Sequence, residues 1–229
     1  RAPGGGPREL TGYQVASAYA DEFRTANRDS YFLADVLTWA GLAQERGGDV
    51  DAAIATYQAL AQLNRGLGTF RLAEVQFRAG RWDAARTSFR TARQALTGQN
   101  LMIEMCDLHI GRASIELRDW NTARPIFDRL TGETEGSSDP NVLGSAYLGL
   151  GICLAREQNW REAFMALAKA ATTFKTNISD RDLQHALGLS AQVAARLAAT
   201  QPEWQPRADR LRQEYQRRYA RQPLPDLPS

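Results

Sequence analysis

One pattern recurs four times along the chain and limits what it can fold into. The segment 80–92 begins with a turn at Gly80 and continues as a helix whose apolar stripe carries Ala85 and Phe89. The same alanine, followed four positions later by a large apolar residue, occurs at Ala53/Tyr57, Ala123/Phe127 and Ala163/Leu167. An internal repeat of roughly 20–50 residues is typical of solenoids, because each unit buries its apolar face only against its neighbours.

A second small residue stands twelve positions before each repeated alanine. These residues are Gly41, Ala73, Gly111 and Gly151. Small residues at both points allow two antiparallel helices to approach closely, because no side chain holds the backbones apart. A glycine inside a helix costs about 0.8–1 kcal/mol relative to alanine, so this register favours a packing role. The pattern therefore predicts pairs of helices, each made of a first helix, a turn and a second helix.

This spacing resembles the tetratricopeptide repeat, and the resemblance covers most of the chain. The chain departs from the family in two ways: the family's late proline is missing, and the steps between alanines are 32, 38 and 40 residues instead of about 34. The uneven steps indicate longer loops near 97–100 and 131–141. The resemblance implies an all-α fold, a TPR-like superhelix of antiparallel pairs, right-handed, with about eleven helices.

The predicted organisation is one solenoid domain over residues 9–220, made of an N-terminal helix and about five repeats. The repeats are expected at about 34–65, 66–98, 101–131, 141–175 and 180–220. Residues 1–8 are rich in glycine and proline and are expected to form a flexible tail. The proline-rich tail 221–229 is expected to be extended and unpacked.

Composition says more about the possible classes of partner than about the cellular compartment. A formal net charge of +2 does not favour nucleic acid. Lys169 and Lys175 are the only lysines, and this preference for arginine indicates a bacterial genome. No apolar run reaches the roughly 18 residues of a membrane span. Because Arg1 is not an initiator, we expect a processed or truncated chain, and both the bacterial cytoplasm and the periplasmic face of the cell envelope stay open.

Few residues suggest catalysis or metal binding. Cys106 and His109 are three positions apart and could share a helix face, but two ligands do not make a zinc site. We therefore expect no enzyme, no cofactor and no metal, and we expect Cys106 and Cys153 to be free, buried thiols. The equivalent residues Trp82, Trp120 and Trp160 are expected to pack where second helices begin.

The resemblance also implies a binding surface, because first helices line the concave face in this family. That face would carry an apolar strip flanked by arginines, with Phe70, Phe77, Arg78, Leu108, Arg112, Ile115, Leu148 and Arg156. We predict that these residues form one partner-binding groove of a non-enzymatic adaptor or scaffold, which binds a helical or extended peptide with acidic flanks. The lysine–asparagine clamp of related chaperone adaptors is missing, because Thr38 and Leu42 stand at its positions.

Three alternatives stay open at this point. The groove could be covered by extra helices or by self-association, which would make the chain a structural subunit or homo-oligomer. A metal-assisted enzyme is the alternative from another functional class. The arginines between 207 and 221 could meet an anionic partner or a membrane surface, although a solvated capping face is the favoured interpretation. Otherwise, membrane contact would need a segment upstream of Arg1.

Overall fold

The computed structural model describes residues 12–132, 137, 139–177, 180–220 and 222–228. Within these residues the chain forms eleven α-helices and a short 3-10 turn, and it forms no strand. The helices are α1 (Gly12–Ala26), α2 (Leu33–Arg46), α3 (Val50–Leu63), α4 (Arg65–Arg78), α5 (Trp82–Ala95), α6 (Asn100–Glu116), α7 (Trp120–Thr131), α8 (Pro140–Arg156), α9 (Trp160–Asn177), α10 (Asp180–Ala198) and α11 (Gln205–Arg218). The predicted all-α repeat fold is confirmed.

The turn inside each repeat has one backbone conformation. Gly48, Gly80, Arg118 and Gln158 each lie two residues before a second helix, and their φ angles are +82°, +72°, +56° and +61°. Glycine adopts this left-handed region freely, whereas other L-residues lose roughly 1–2 kcal/mol there. The turn geometry is therefore kept even where the residue is not glycine, as at Arg118 and Gln158.

Second helices begin at the residues that the repeat pattern indicated. Helices α5, α7 and α9 start at Trp82, Trp120 and Trp160. The Trp82 ring meets the Phe77 ring edge-on at 4.8 Å between centroids, which is a packing contact. Asp119 caps α7 by accepting a hydrogen bond from the Thr122 amide at 3.2 Å. The expectation that these tryptophans mark helix starts is confirmed.

The small residues and the large residues of a pair meet as the register predicted. A Cβ placed on Gly41 would lie 2.3 Å from the Tyr57 ring, and one on Gly111 would lie 2.7 Å from the Phe127 ring. The four repeated alanines, Ala53, Ala85, Ala123 and Ala163, are fully buried. In these two pairs, a large side chain therefore packs on the backbone of the facing helix.

The helices form two compact units, Arg1–Asn100 and Leu101–Ser229, called here the N-terminal and C-terminal units. The N-terminal unit buries Leu37, Tyr57, Leu60 and Val75 in one apolar cluster. The C-terminal unit has its own clusters, one of which is built around Phe127. Each unit thus has the core that independent burial requires, and a single domain over 9–220 stays a prediction.

The C-terminal tail is packed, so the expectation of an unpacked tail is wrong. Residues 222–228 have no regular secondary structure, yet Leu224 and Leu227 lie against the largest core cluster. The Tyr215 hydroxyl donates a hydrogen bond to the Pro223 carbonyl at 2.7 Å. Pro225 covers Gly188, since a Cβ on that glycine would lie 2.2 Å from its ring.

The sequence of the fifth repeat gives a reason why the tail packs on α10. In repeats one, three and four, a large residue sixteen positions after the small glycine covers that glycine, as Leu167 covers Gly151. Sixteen positions after Gly188 stands Trp204, which instead meets the Phe164 ring at 5.0 Å. Pro225 therefore covers Gly188 together with the Tyr215 ring of α11, which would lie 3.0 Å from the same Cβ.

Candidate functional site

The predicted groove residues of the N-terminal unit take part in its own packing. Phe70 is only 2% exposed, and its ring meets Phe89 edge-on at 5.7 Å. Phe77 is half-buried against Trp82 and Phe89, with centroid distances of 4.8 and 6.5 Å. These contacts fasten α4 to α5, so neither ring is a free anchor for a partner.

Arg78, the third of these residues, lies at the end of α4 and is exposed. Its guanidinium is ion-paired with Glu45 of the preceding repeat, and a second carboxylate, that of Glu74, lies 3.8 Å away. An acidic partner would have to compete with both carboxylates. The side chain therefore links adjacent repeats within this unit.

Replacing Phe77 with alanine is expected to lower the free energy of unfolding by about 1–3 kcal/mol. Replacing a fully buried phenylalanine with alanine costs about 3–5 kcal/mol, and the Phe77 ring is only half-buried. Urea denaturation followed by circular dichroism would measure the loss. Leu63→Ala is the control, because Leu63 is 53% exposed at the end of α3. Equal stability of both variants would show that the Phe77 ring is not part of the packing.

In the C-terminal unit, some of the predicted residues meet and others do not. Arg112, Ile115 and Leu148 line one cavity. Leu108 is buried in the cluster around Phe127 instead. Arg156 ends α8, is exposed, and is not one of the residues lining this cavity.

The cavity has a volume of about 100 Å³ and lies between the first helices α6, α8 and α10. Its remaining walls are formed by Glu116, Ser145, Gly149, Ile152, Asp182 and His185. Asp182 and His185 were not predicted. They stand six and three positions before Gly188, as Ser145 and Leu148 stand before Gly151, so the repeat register was a signal that could have found them.

The charges at this cavity are mixed. Arg112 is exposed, yet partial removal of its guanidinium from water lowers its pKa; Asp182 and Glu116 oppose that change, and Arg181 adds to it. The side chain of His185 is exposed, and the loss of part of its hydration is the main reason why its pKa is lowered. The arginine charge at this cavity therefore already interacts with two carboxylates of the same unit, those of Asp182 and Glu116.

A metal site and a reactive cysteine have less support than this cavity. Within the described part of the chain, no group of three or more His, Cys, Asp or Glu side chains could hold a metal ion. Cys106 and Cys153 are buried and do not form a disulfide, as expected, and burial raises the pKa of Cys153 to about 12. Such a thiol is protonated at pH 7 and is a poor nucleophile. No described helix is both long and apolar enough to cross a membrane.

Some arginines of helix α11 interact with side chains of their own unit. The Arg207 guanidinium lies over the Phe164 and Trp204 rings, at 5.5 and 5.0 Å from their centroids. Arg218 lies 3.7 Å from Glu214, which also binds Lys175 at 2.9 Å. Arg221, part of the predicted cluster, lies outside the described residues.

Comparison with known proteins identifies the repeat. The tetratricopeptide repeat family model matches residues 40–100. No curated protein is similar enough to count as a match. Three solved structures share the fold over most of the chain, at identities of 13–17%.

The apo form of RapI has a TM-score of 0.70 and 13% identity, and the match covers 92% of this chain but 62% of RapI. BtubC (BKLC) from P. vanneervenii has a TM-score of 0.64 and 17% identity, with 95% of this chain and 96% of that protein covered. YrrB, described as a TPR protein with an unusual peptide-binding site, has a TM-score of 0.58 and 16% identity, covering 88% and 94%. The family match identifies residues 40–100 as tetratricopeptide repeats, and the chain shares the helical-repeat fold of these three structures over most of its length.

Proposed function

We propose that this protein is a non-enzymatic interaction adaptor, and that the groove between α6, α8 and α10 binds a peptide segment of a partner protein. The observation that carries the proposal is the convergence of equivalent positions from three consecutive first helices on one cavity. The peptide-binding site described for YrrB supports the same class of function. The proposal keeps Arg112, Ile115 and Leu148 as binding residues and adds Ile152 and His185.

The cavity size indicates what would enter it. A volume of about 100 Å³ equals that of roughly three liquid waters, at ~30 Å³ each. One aliphatic side chain of the peptide would fill this space against Ile115, Leu148 and Ile152. The Ser145 hydroxyl and the Arg112 guanidinium also line this cavity and would meet polar groups of the peptide backbone. Affinity would then depend more on the apolar anchor than on acidic flanks.

Random peptides displayed on phage provide a direct test of this groove. We expect enriched peptides to share one aliphatic residue and to bind the protein with a Kd of about 1–100 μM. Ile115→Ala and Ile152→Ala should each weaken binding about tenfold, which corresponds to about 1.4 kcal/mol. Isothermal titration calorimetry on the synthetic peptides would give both values.

Met165→Ala is the matched control for the groove variants. Met165 is an exposed apolar residue on α9 in the same unit and is not one of the residues lining this cavity. Its replacement should leave binding unchanged, and circular dichroism should show that all three variants keep the parent fold. Peptides that bind Ile115→Ala and Ile152→Ala as tightly as the parent would contradict this site, as would a selection that enriches none.

A further inference from the structure

The C-terminal unit has a charged cleft bordered by the start of α9, the 3-10 turn 202–204 and the first half of α11. Its walls are formed by three arginines, one glutamate, a tryptophan and a proline, namely Arg161, Glu203, Trp204, Pro206, Arg207 and Arg210. Three positive charges therefore stand against one carboxylate. Such an excess of one sign in a concave surface raises the local concentration of ions of the opposite sign.

Two arginines of this cleft are held by uncharged groups. The Arg207 guanidinium lies over the Phe164 and Trp204 rings, at 5.5 and 5.0 Å from their centroids. Arg161 donates a hydrogen bond to the side-chain oxygen of Gln201. Aromatic rings and an amide orient a guanidinium without neutralising it. Both side chains therefore keep their positive charge while their positions are restrained.

Other arginines of the same unit are paired with carboxylates. Arg124 lies 2.6 Å from Glu157 and 2.9 Å from Asp128, and Arg129 lies 2.7 Å from Asp107. The three cleft arginines, by contrast, form no ion pair with any residue that the structure describes. Their charge is therefore available to a partner.

The places of two cleft arginines in their helices add to the positive potential. Arg161 is the second residue of α9, and Arg207 is the third residue of α11. The free N–H groups at a helix start carry partial positive charge, which disfavours a cation there and favours an anion. Helix α9 has Glu162 in its first turn, but α11 has no acidic residue there. An anionic partner would therefore stabilise this arrangement.

We propose that this cleft, called here the α9–α11 cleft, binds an acidic segment of a partner protein through Arg161, Arg207 and Arg210. The planar N–H donors of a guanidinium match the two oxygens of a carboxylate. The cleft has a volume of about 490 Å³, against about 100 Å³ for the cavity between α6, α8 and α10, and the two share no residue. It therefore admits several aspartate or glutamate side chains, at a site separate from the peptide groove.

A membrane surface fits this cleft less well than an acidic peptide. Interfacial binding combines basic side chains with apolar ones that insert among the lipids. The large apolar side chains exposed in the described part of the C-terminal unit are Leu101, Leu117 and Met165, and none of them is on α11. Trp204 at the cleft is half-buried, with Arg207 over its ring.

The test uses a fluorescein-labelled peptide of six glutamates, with a peptide of six glutamines as its control. Fluorescence anisotropy in about 50 mM salt should give a Kd below about 100 μM for the full chain. The glutamine peptide should not bind. Raising the salt to about 200 mM should weaken binding at least about threefold, because the cleft arginines are solvent-exposed and their charges are screened.

The double variant Arg161→Gln/Arg210→Gln should weaken binding of the glutamate peptide at least about tenfold. Arg207 is left unchanged, because its contacts with the aromatic rings belong to the packing of the unit. The matched control is Arg212→Gln/Arg217→Gln, which removes two charges from exposed positions of α11 that do not line the cleft. This control should bind within about twofold of the parent.

Three results would overturn the proposal. The first is failure of the parent chain to bind the glutamate peptide. The second is an equal loss of binding in both double variants, both with the parent circular dichroism spectrum, because the peptide would then respond only to the total charge of the protein. The third is sedimentation of the parent with phosphatidylglycerol vesicles that Arg161→Gln/Arg210→Gln abolishes, which would assign the cleft to a membrane surface.

Discussion

Phe127→Ala is expected to lower the free energy of unfolding by about 3–5 kcal/mol, the usual cost of removing a buried phenylalanine ring. The ring is fully buried. Two glycines from different helices hold it: a Cβ on Gly149 would lie 2.4 Å from the ring, and one on Gly111 would lie 2.7 Å from it. Because neither glycine has a side chain that could move in, the cavity cannot collapse without shifting α6 or α8.

Urea denaturation with hydrogen exchange would locate this loss. Protection should fall first in α6, α7 and α8, whose residues surround the ring, because each repeat is stabilised mainly by its neighbours. Phe127→Leu, which keeps most of the apolar volume, should cost clearly less. If Phe127→Ala were as stable as the parent, the two glycines would not be packing on this ring.

Gly68→Ala is expected to destabilise by about 3 kcal/mol, the upper end of overpacking costs. The nearest atoms to the new methyl group would be the Ala61 nitrogen and Cα, at 2.3 and 2.4 Å. These are backbone atoms, which cannot rotate away as a side chain does, so α3 and α4 must separate. The higher helix propensity of alanine, about 1 kcal/mol, offsets only part of this cost.

Gly12→Ala is the matched control for Gly68→Ala. It makes the same substitution in the same unit, within helix α1, where a Cβ would have nothing within 4 Å. The expected effect is a stability equal to the parent or slightly higher. Thermal and urea unfolding of the two variants side by side would show how much of the Gly68→Ala effect comes from packing. A Gly68→Ala variant as stable as Gly12→Ala would mean that α3 and α4 are less closely packed.

The repeat register predicted the fold because it records contacts between residues close in sequence. Gly41 and Tyr57, or Gly111 and Phe127, are sixteen positions apart and belong to one pair of helices. The register does not contain information on contacts outside the repeat. The docking of Pro225 on Gly188 was missed for that reason, since a proline-rich segment without periodicity predicts an extended chain but not what it covers.

The candidate site was predicted only in part for a related reason. Family positions indicate which face a residue lies on, so Arg112, Ile115 and Leu148 were placed at a common surface, and they do line one cavity. Exposure depends on which neighbours cover that face. Phe70 is covered by Phe89 of its own pair, which the position within the repeat could not show.

The packing of Pro225 on Gly188 also bears on how the chain is made. Helix α10 leaves the ribosome well before residues 223–225 have been synthesised, and until then Gly188 has only the Tyr215 ring of α11 against it and part of the adjoining apolar cluster is uncovered. The last repeat can therefore form its helices early but reaches its final packing only when the proline-rich segment emerges. A stop codon just after Tyr219 would keep the sequence of every helix. The released chain would nevertheless have permanently exposed apolar surface at its C-terminal end, which favours aggregation.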